Sequence, residues 1–412
     1  MTDLDTMVVI GGGLAGAKAA ETLRAEGFDG PVVLVTAESE RPYERPPLSK
    51  EYLTGAKERD IIYVHEAGWY AEHDVELLTG VRATRLDPAA NTVELDTGRT
   101  LGFRAALLAT GSEPRRLPIP GADLEGVLTL RTAADSDRLR AELSAGGRRI
   151  VIIGAGWIGL EVASAARGYG DDVTVIEPQP APLLQVLGPE MGEVFARLHR
   201  SHGVDLRLRT GVREFRGEGG RVHSVLLDDG SEVPADVVLV GVGAAPRVGL
   251  AEAAGLEVSN GVVVDAALRS SAADVYAAGD VASWLHPLYG RHVRVEHWAN
   301  ALNGGPAAAR AMLGQEVAYD RLPYFFTDQY DLGMEYSGLG GPDLRVVCRG
   351  NPDDGEFIAF WLDGERVRAA MNVNVWDVTD PLQQLIRADR PVEDARLADP
   401  DVPLDELTTV RS

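Results

Sequence analysis

Two stretches of the chain carry one and the same alternation of apolar runs and glycines. Met7-Val-Val-Ile10 is a run of β-type residues that meets Gly11-Gly-Gly-Leu-Ala-Gly16, spaced Gly11-x-Gly13-x-x-Gly16. Ala15 to Arg24 then reads as a helix, and Pro31-Val-Val-Leu-Val-Thr-Ala-Glu38 is a second apolar run closed by an acid. Arg149-Ile-Val-Ile-Ile153 followed by Gly154-Ala-Gly156-Trp-Ile-Gly159 restates the pattern, and Asp172-Val-Thr-Val-Ile-Glu177 closes it. The order predicts, twice over, a strand, a tight turn, a helix and a strand ending in a carboxylate.

Each pattern has return segments further along. Leu107-Leu-Ala-Thr110-Gly111 and Val275-Tyr-Ala-Ala-Gly279-Asp280 follow the first, and Asp236-Val-Val-Leu-Val-Gly241-Val-Gly243-Ala-Ala-Pro246 follows the second. All are apolar strands ending in small residues, as at the carboxyl ends of parallel strands where ligands sit. The second unit is therefore expected inside the first: residues 1–115 and 247–320 form one domain and 116–246 the other. Period-2 stretches at Val75–Leu86, Thr92–Leu101 and Val204–Val233 predict strands, the last broken by a hairpin-like Arg-Gly-Glu-Gly-Gly turn. From residue 321 the texture becomes aromatic (Tyr324-Phe-Phe-Thr-Asp-Gln-Tyr330), with short strands at Glu356–Leu362 and Val367–Val375 and a helix near Pro381–Arg390. Residues 321–412 are expected to be a small α+β C-terminal domain with a loosely packed polar tail from Asp399. The fold class expected is α/β, two nested Rossmann-like dinucleotide-binding domains followed by that small domain.

The spacing carries chemistry. The first glycine allows the sharp turn, the second lets backbone approach a pyrophosphate, and the third lets helix pack on strand. A helix N-terminus offers unpaired N–H groups and partial positive charge to phosphates. Glu38 and Glu177 stand where a carboxylate hydrogen-bonds an adenosine ribose. Either triplet alone also fits a structural strand-to-helix turn; two in full context point to two dinucleotides. Glu177 would repel a 2′-phosphate, and Pro178-Gln-Pro-Ala-Pro182 brings no arginine to bind one, so NADH is expected over NADPH.

Composition narrows the class. Over 412 residues the hydrophobic share is 45% and the charged share 25%, as in ordinary globular chains. The net charge of −23 makes nucleic acid an unlikely partner, although Arg115-Arg116 and Arg291-His292-x-Arg294 are local basic patches, or simply solvated arginines. No apolar run spans a membrane and the first strand leaves no room for a signal peptide, so a cytoplasmic protein is expected. The single cysteine, Cys348, excludes an intramolecular redox disulfide and a cysteine-rich metal or iron–sulfur site, and no metal is expected. Cys348 reads as a structural thiol in a strand.

Several motifs resemble one family. Arg41-Pro-Tyr-Glu-Arg45-Pro-Pro-Leu-Ser-Lys50, Leu130-Arg131-Thr132, Gly154-x-Gly156-x-x-Gly159-Leu-Glu161-Val-Ala, Ala278-Gly279-Asp280, Glu296-His-Trp-Ala-Asn300 and Phe326-Thr-Asp-Gln-Tyr330 are similar to the oxygenase-coupled, FAD-dependent NADH:ferredoxin reductases of putidaredoxin-reductase-like and biphenyl-dioxygenase-reductase-like type. The resemblance covers nearly the whole chain and implies a glutathione-reductase-like fold with FAD on the first fingerprint and NADH on the second. It implies FAD contacts at Ala15, Lys50, Ala83, Arg131, Asp280 and Trp298. With the motifs themselves, the FAD set becomes Gly11, Gly13, Leu14, Ala15, Gly16, Glu38, Arg45, Lys50, Ala83, Thr110, Gly111, Arg131, Gly279, Asp280, Glu296, His297 and Trp298. The NAD set is Gly154, Gly156, Trp157, Ile158, Gly159, Glu177 and Gly243. Many relatives carry the first acid at the position of Ala37; here it is Glu38.

The resemblance gives Lys50 a place beside flavin N5, paired with Glu161 near the nicotinamide, and makes these two the catalytic candidates. Read by themselves, Lys50 is a solvated lysine after a proline turn and Glu161 a carboxylate favoured by its helix dipole. Asp280 either caps a helix or bonds the flavin ribityl and pyrophosphate region. Trp298 and Asn300 begin a helix running to Leu313 whose N–H groups would stabilise charge at N1/O2 of reduced flavin, or Trp298 is a core aromatic.

The expected function is hydride transfer from NADH to FAD and single-electron delivery to a [2Fe–2S] ferredoxin that serves a cytochrome P450 or a ring-hydroxylating dioxygenase, by a monomer. Rubredoxin reductase, NADH oxidase or quinone reductase, and a flavin-bound interaction protein of the apoptosis-inducing-factor kind are the alternatives. Disulfide reductases need cysteines that this chain lacks.

Overall fold

The computed structural model describes residues 5–408, and the chain divides into two compact units. One comprises Met1–Glu44, Arg59–Glu113 and Ala244–Pro323; the other comprises Arg45–Glu58, Pro114–Gly243 and Tyr324–Ser412.

In the first unit, the apolar run Met7–Ile10 is the centre of a five-stranded parallel sheet, ordered Val275–Ala277, Ala105–Leu108, Met7–Ile10, Val32–Thr36, Val75–Thr79. A strand with neighbours on both sides and helices over its faces is apolar at every position, and Met7, Val8, Val9 and Ile10 are all buried. Helix Leu14–Ala25 follows the glycine turn, and helix Trp298–Met312 lies against it. A Cβ on Gly305 would stand 2.2 Å from the Ala15 carbonyl oxygen, so glycine sets that close approach. The Val75–Leu86 expectation divides into Val75–Thr79, which joins the parallel sheet, and Ala83–Asp87, which opens a small antiparallel sheet. The Thr92–Leu101 expectation likewise becomes two strands of that small sheet, Thr92–Leu95 and Thr100–Gly102.

The second unit repeats the plan. Its parallel sheet is ordered Asp205–Leu208, Asp172–Glu177, Arg149–Ile153, Val237–Val240, Val127–Leu128. Helix Trp157–Tyr169 follows the second glycine turn and ends at Gly170 in the left-handed region. The C-terminal segment forms a five-stranded antiparallel sheet, ordered Tyr324–Gln329, Leu332–Gly338, Arg366–Val373, Phe357–Asp363, Arg345–Arg349, with helix Thr379–Ala388 beside it. Phe325, Met334, Tyr336, Phe357, Trp361 and Met371 of this sheet share one apolar core with Ile150, Leu160, Val175 and Phe195. That shared core is why the C-terminal segment belongs to the same compact unit as the second fingerprint.

Two placements differ from the sequence expectations. Segment 45–58, expected with the first fingerprint, belongs to the second unit. The Ser136 hydroxyl donates to the Leu48 carbonyl at 2.8 Å, the Tyr169 hydroxyl to Leu53 at 2.8 Å, and Tyr52 to Asp137, and Leu53 lies in the shared core. The tail is not loose as far as residue 408. The Arg349 guanidinium donates to the carbonyls of Leu397 (2.8 Å), Val402 (2.9 Å) and Arg396 (3.0 Å), and Leu407 is buried. Residues 409–412 lie outside the described residues. Cys348 sits in strand Arg345–Arg349, and burial pushes its thiol up to about 11, as suits a structural thiol.

Candidate functional site

The two fingerprints are built alike, down to single contacts. Gly11 donates its N–H to Val35 and Gly154 to Ile176, both at 2.8 Å, tying each turn to the neighbouring strand. Gly11 has φ +124° and Gly154 φ +102°, and a Cβ would stand 2.1 Å from the Ala109 oxygen in one and 2.5 Å from the Gly241 oxygen in the other. A Cβ on Gly16 would be 2.0 Å from the Gly11 oxygen, and on Gly159 2.2 Å from the Gly154 oxygen. The outer glycines are thus required by the protein's own turn and helix packing.

The middle glycines are not. Gly13 and Gly156 have φ −88° and −82°, which any residue adopts, and a Cβ on either meets no atom within 4 Å. Glycine at these positions is accounted for by something that must approach the backbone there. Helices Leu14–Ala25 and Trp157–Tyr169 begin at these glycines with no side-chain cap and no acid in the first turn. Helix Ala133–Leu143, by contrast, starts with a full Thr132/Asp135 capping box. The two open N-termini leave N–H groups and dipole charge for an anion. These cradles fit the diphosphate of one dinucleotide on each unit.

Within the first unit, Leu14 and Ala15 are buried at the helix start. Glu38 is half-buried just past strand Val32–Thr36, and Tyr43, which sequence reasoning missed, donates its hydroxyl to it. Ala83 begins strand Ala83–Asp87. The Thr110 hydroxyl donates to the Arg247 carbonyl at 2.9 Å, and Gly111 has φ +68°. Gly279 and Asp280 open a short 3-10 turn, in which the Asp280 carboxylate accepts from the Ser112 hydroxyl at 2.9 Å. Asp280 therefore caps no helix with that oxygen. Glu296 is exposed and accepts from Arg294 at 2.7 Å. His297 is the N-cap of helix Trp298–Met312, again without a side-chain cap, and burial pushes it down to about 4 against the charge of Asp280. The Trp298 indole donates to Glu44 at 2.9 Å, while Asn300 is engaged with Val295 and Tyr319.

Within the second unit lie the rest. Arg45 donates to the Arg131 carbonyl, and Arg131 donates its own N–H to Asp135 at 3.2 Å. Trp157 is half-buried against Phe195 and Phe325, and Ile158 beside it is 43% exposed on the first turn of the second fingerprint helix. Gly243 has φ +92° and its carbonyl accepts from Arg115 N–H at 2.9 Å. Glu177 holds the Ala155 N–H on one oxygen at 2.8 Å and the Gln179 N–H on the other at 2.9 Å. Each oxygen keeps a lone pair for a further donor. Arg209, exposed, has its N–H on the Gln179 carbonyl at 3.1 Å. Reading only the residues that directly follow Glu177 missed this arginine, which lies beyond an intervening helix and strand.

Lys50 and Glu161 come together. The Lys50 ammonium donates to one Glu161 oxygen, which also accepts from the Thr327 hydroxyl at 2.6 Å, and Ser49 donates to the other. Both side chains are nearly buried, at 9% and 5% exposure, and the ammonium stands 5.4 Å from the Phe326 ring centroid. The sequence offered Lys50 as a solvated side chain or a partner of Glu161; the pair is what forms. The 3-10 turn Pro46–Ser49, stiffened by its prolines, aims Lys50. Ser49 and Thr327 were not foreseen.

Comparison with known proteins agrees with this construction. Residues 5–305 match the pyridine nucleotide-disulphide oxidoreductase family, and residues 324–408 match the reductase C-terminal family. The chain is 42% identical over 405 residues to the anthranilate 1,2-dioxygenase system ferredoxin–NAD(+) reductase component of Burkholderia cepacia, covering 97% of this chain and 98% of that one. It is 38% identical to rhodocoxin reductase of Rhodococcus erythropolis, covering 97% and 93%. The reductase in the crystal structure of the covalent putidaredoxin reductase–putidaredoxin complex superposes with a TM-score of 0.94 at 36% identity, covering 98% of both chains. Doubled cradles, a C-terminal reductase segment and these full-length likenesses converge: the chain belongs to the pyridine nucleotide-disulphide oxidoreductase family, among its ferredoxin–NAD(+) reductases.

Proposed function

We propose that this chain oxidises NADH at a bound FAD and passes the electrons one at a time to a [2Fe–2S] ferredoxin, which supplies a cytochrome P450 or a ring-hydroxylating dioxygenase. The observation that carries the reading is the pair of matched cradles, each with an open middle glycine at an uncapped helix N-terminus. Two dinucleotides on one chain, with no second cysteine to form a disulfide, leave the acceptor outside the chain. The printed names of the relatives, ferredoxin–NAD(+) reductase among them, and the solved complex with putidaredoxin support a ferredoxin acceptor.

When bound, FAD accepts hydride as a pair and releases electrons singly, a conversion no side chain performs. The unit of Met1–Glu44, Arg59–Glu113 and Ala244–Pro323 would carry its site: Gly13, Leu14 and Ala15 at the diphosphate, Glu38 at the ribose, Asp280 and the Trp298 helix at the flavin portion. Residues 116–246 carry NADH: Gly156, Trp157 and Ile158 at its diphosphate and Glu177 at its ribose hydroxyls. Residues 321–412 supply Thr327 to Glu161. Lys50 orients charge at the site of hydride transfer, and Glu161 holds it there. No helix among the described residues is long and apolar enough to cross a membrane. We assign the chain to the cytoplasm, as a monomer.

The test is ferredoxin-dependent reduction of cytochrome c. With NADH, adding a [2Fe–2S] ferredoxin raises the rate well above that of the flavoprotein alone. An unchanged rate with several [2Fe–2S] ferredoxins and rubredoxins rejects the acceptor.

A further inference from the structure

Behind Glu161 runs a buried polar array that the proposed chemistry does not use. Thr327 donates to Glu161; the Gln329 amide nitrogen lies 3.2 Å from the Thr327 hydroxyl oxygen. The Gln329 amide oxygen lies 2.8 Å from His199 Nε2, and His199 Nδ1 lies 3.2 Å from the Tyr330 hydroxyl. Thr327, Gln329 and His199 are buried, the last two with no exposed surface. Tyr330 is fixed in turn, stacked on His202 at 3.7 Å, with its N–H on the Ser164 hydroxyl at 2.9 Å.

The carboxylate end dictates the direction of every bond. A carboxylate paired with an ammonium only accepts, so Thr327 must give it its hydrogen. The Thr327 oxygen then accepts from the Gln329 NH₂, which turns the Gln329 oxygen toward His199. His199 must carry its hydrogen on Nε2, leaving Nδ1 to accept from Tyr330. Burial agrees, holding His199 neutral with its pKa pushed down to about 4. The Tyr330 hydroxyl could also accept from a protonated ring, so it is burial, not this partner, that keeps His199 neutral.

We infer that His199, through Gln329 and Thr327, is a positioning residue that locks the Glu161 carboxylate and hence the Lys50 ammonium in one orientation. The array is a brace and not a proton path, because the Gln329 amide in its middle donates and accepts but does not relay a proton. The geometry points to this more than to packing alone. Three polar side chains with almost no exposed surface, Thr327, Gln329 and His199, carry a desolvation cost that an apolar set would not, and their bonds run from half-buried Tyr330 at one end to the Lys50 pair at the other. The inference rests on the proposed function only in giving Lys50 a part in hydride transfer.

The chain offers its own probe, since it has only three lysines, Lys18, Lys50 and Lys57. The purified flavoprotein, without NADH, is treated with limiting acetic anhydride and each lysine is followed by peptide mass spectrometry. In Thr327→Val and His199→Leu, Lys50 is expected to acetylate roughly tenfold faster than in the parent, with Lys18 and Lys57 unchanged, as a freed amine exchanges its ion pair for solvent. His199→Gln, which keeps a donor for Gln329, restores the slow rate. In a Glu161→Gln background His199→Leu adds nothing, because its effect passes through that carboxylate. Stopped-flow reduction of the flavin by NADH falls roughly 10- to 100-fold in the same two variants, the range for a misplaced group near the chemistry. Parental Lys50 labelling in both variants, or equal acceleration of all three lysines, overturns the brace. A parent protein that NADH does not reduce overturns the proposed function instead, and leaves the labelling result to judge the brace alone.

Discussion

At the scale of single residues, Lys50 and Glu161 are separated by 111 positions and meet in a nearly dry pocket. The family resemblance carried by the Pro-Pro-Leu-Ser-Lys50 and Gly159-Leu-Glu161 motifs named both residues. The hydroxyls that complete the site come from Ser49 and Thr327, on segments with no local pattern linking them to Glu161, so sequence spacing had no way to reveal them. Lys50→Ala leaves Glu161 with two hydroxyl donors and is expected to cost up to about 3 kcal/mol of stability, the lower end for removing one partner of a buried pair. It retains FAD, and reduction by NADH in a stopped-flow spectrophotometer slows roughly 10- to 100-fold. Parental reduction rates reject the role given to Lys50. Glu177 is engaged with the Ala155 N–H of the glycine turn and the Gln179 N–H of its own turn, so Glu177→Gln, which keeps one acceptor, separates cofactor choice from loop collapse. With the repelling charge gone and the Arg209 backbone bonded to Gln179 beside it, the ratio of kcat/KM for NADPH over NADH is expected to rise about tenfold, equivalent to about 1.4 kcal/mol. An unchanged ratio removes Glu177 from cofactor selection.

At the scale of elements, periodicity located what packing later used. The helix expected at Ala15–Arg24 is Leu14–Ala25, that expected from Trp298 to Leu313 is Trp298–Met312, and that near Pro381–Arg390 is Thr379–Ala388. The location of segment 45–58 was not legible, because a short proline-rich turn has no period and its place is decided by hydrogen bonds to Ser136, Asp137 and Tyr169. The fingerprints themselves yield a prediction in which the three glycines of one turn behave differently. A Cβ at Gly13 meets no atom within 4 Å, so Gly13→Val is expected to lose FAD on purification yet keep the fold, melting where the flavin-stripped parent melts. Gly156→Val retains fold and FAD, and raises KM for NADH without bleaching the preparation. Gly16→Ala puts a Cβ 2.0 Å from the Gly11 oxygen and lowers the melting temperature itself. Calorimetry with the flavin absorbance of each variant checks all three, and a Gly13→Val protein that keeps its flavin removes the carrying observation of the proposed function.

At the scale of the whole chain, the excess of acidic residues and two histidines, His199 and His297, are among the groups that set how stability responds to pH. The net charge of −23 at pH 7 diminishes as carboxylates protonate, which relieves self-repulsion on mild acidification. His199 and His297 act against that relief. Burial pushes each down to about 4, below the ordinary value of 6.5. Above pH 6.5 both are neutral folded and unfolded, and their contribution is fully present. Between about pH 6.5 and about 4 the unfolded chain binds protons that the folded chain refuses, so this contribution is lost as pH falls through the window. Each such group adds a slope approaching about 1.4 kcal/mol per pH unit inside it. His199→Gln is expected to lower stability at neutral pH yet removes one such group, so its unfolding free energy depends less steeply on pH between about 6 and about 4.5 than the parent's. Urea unfolding followed by circular dichroism at several pH values measures both slopes. Equal slopes mean that His199 binds its proton as readily folded as unfolded; Nδ1 then donates to Tyr330 instead of accepting from it, while Nε2 still donates to Gln329.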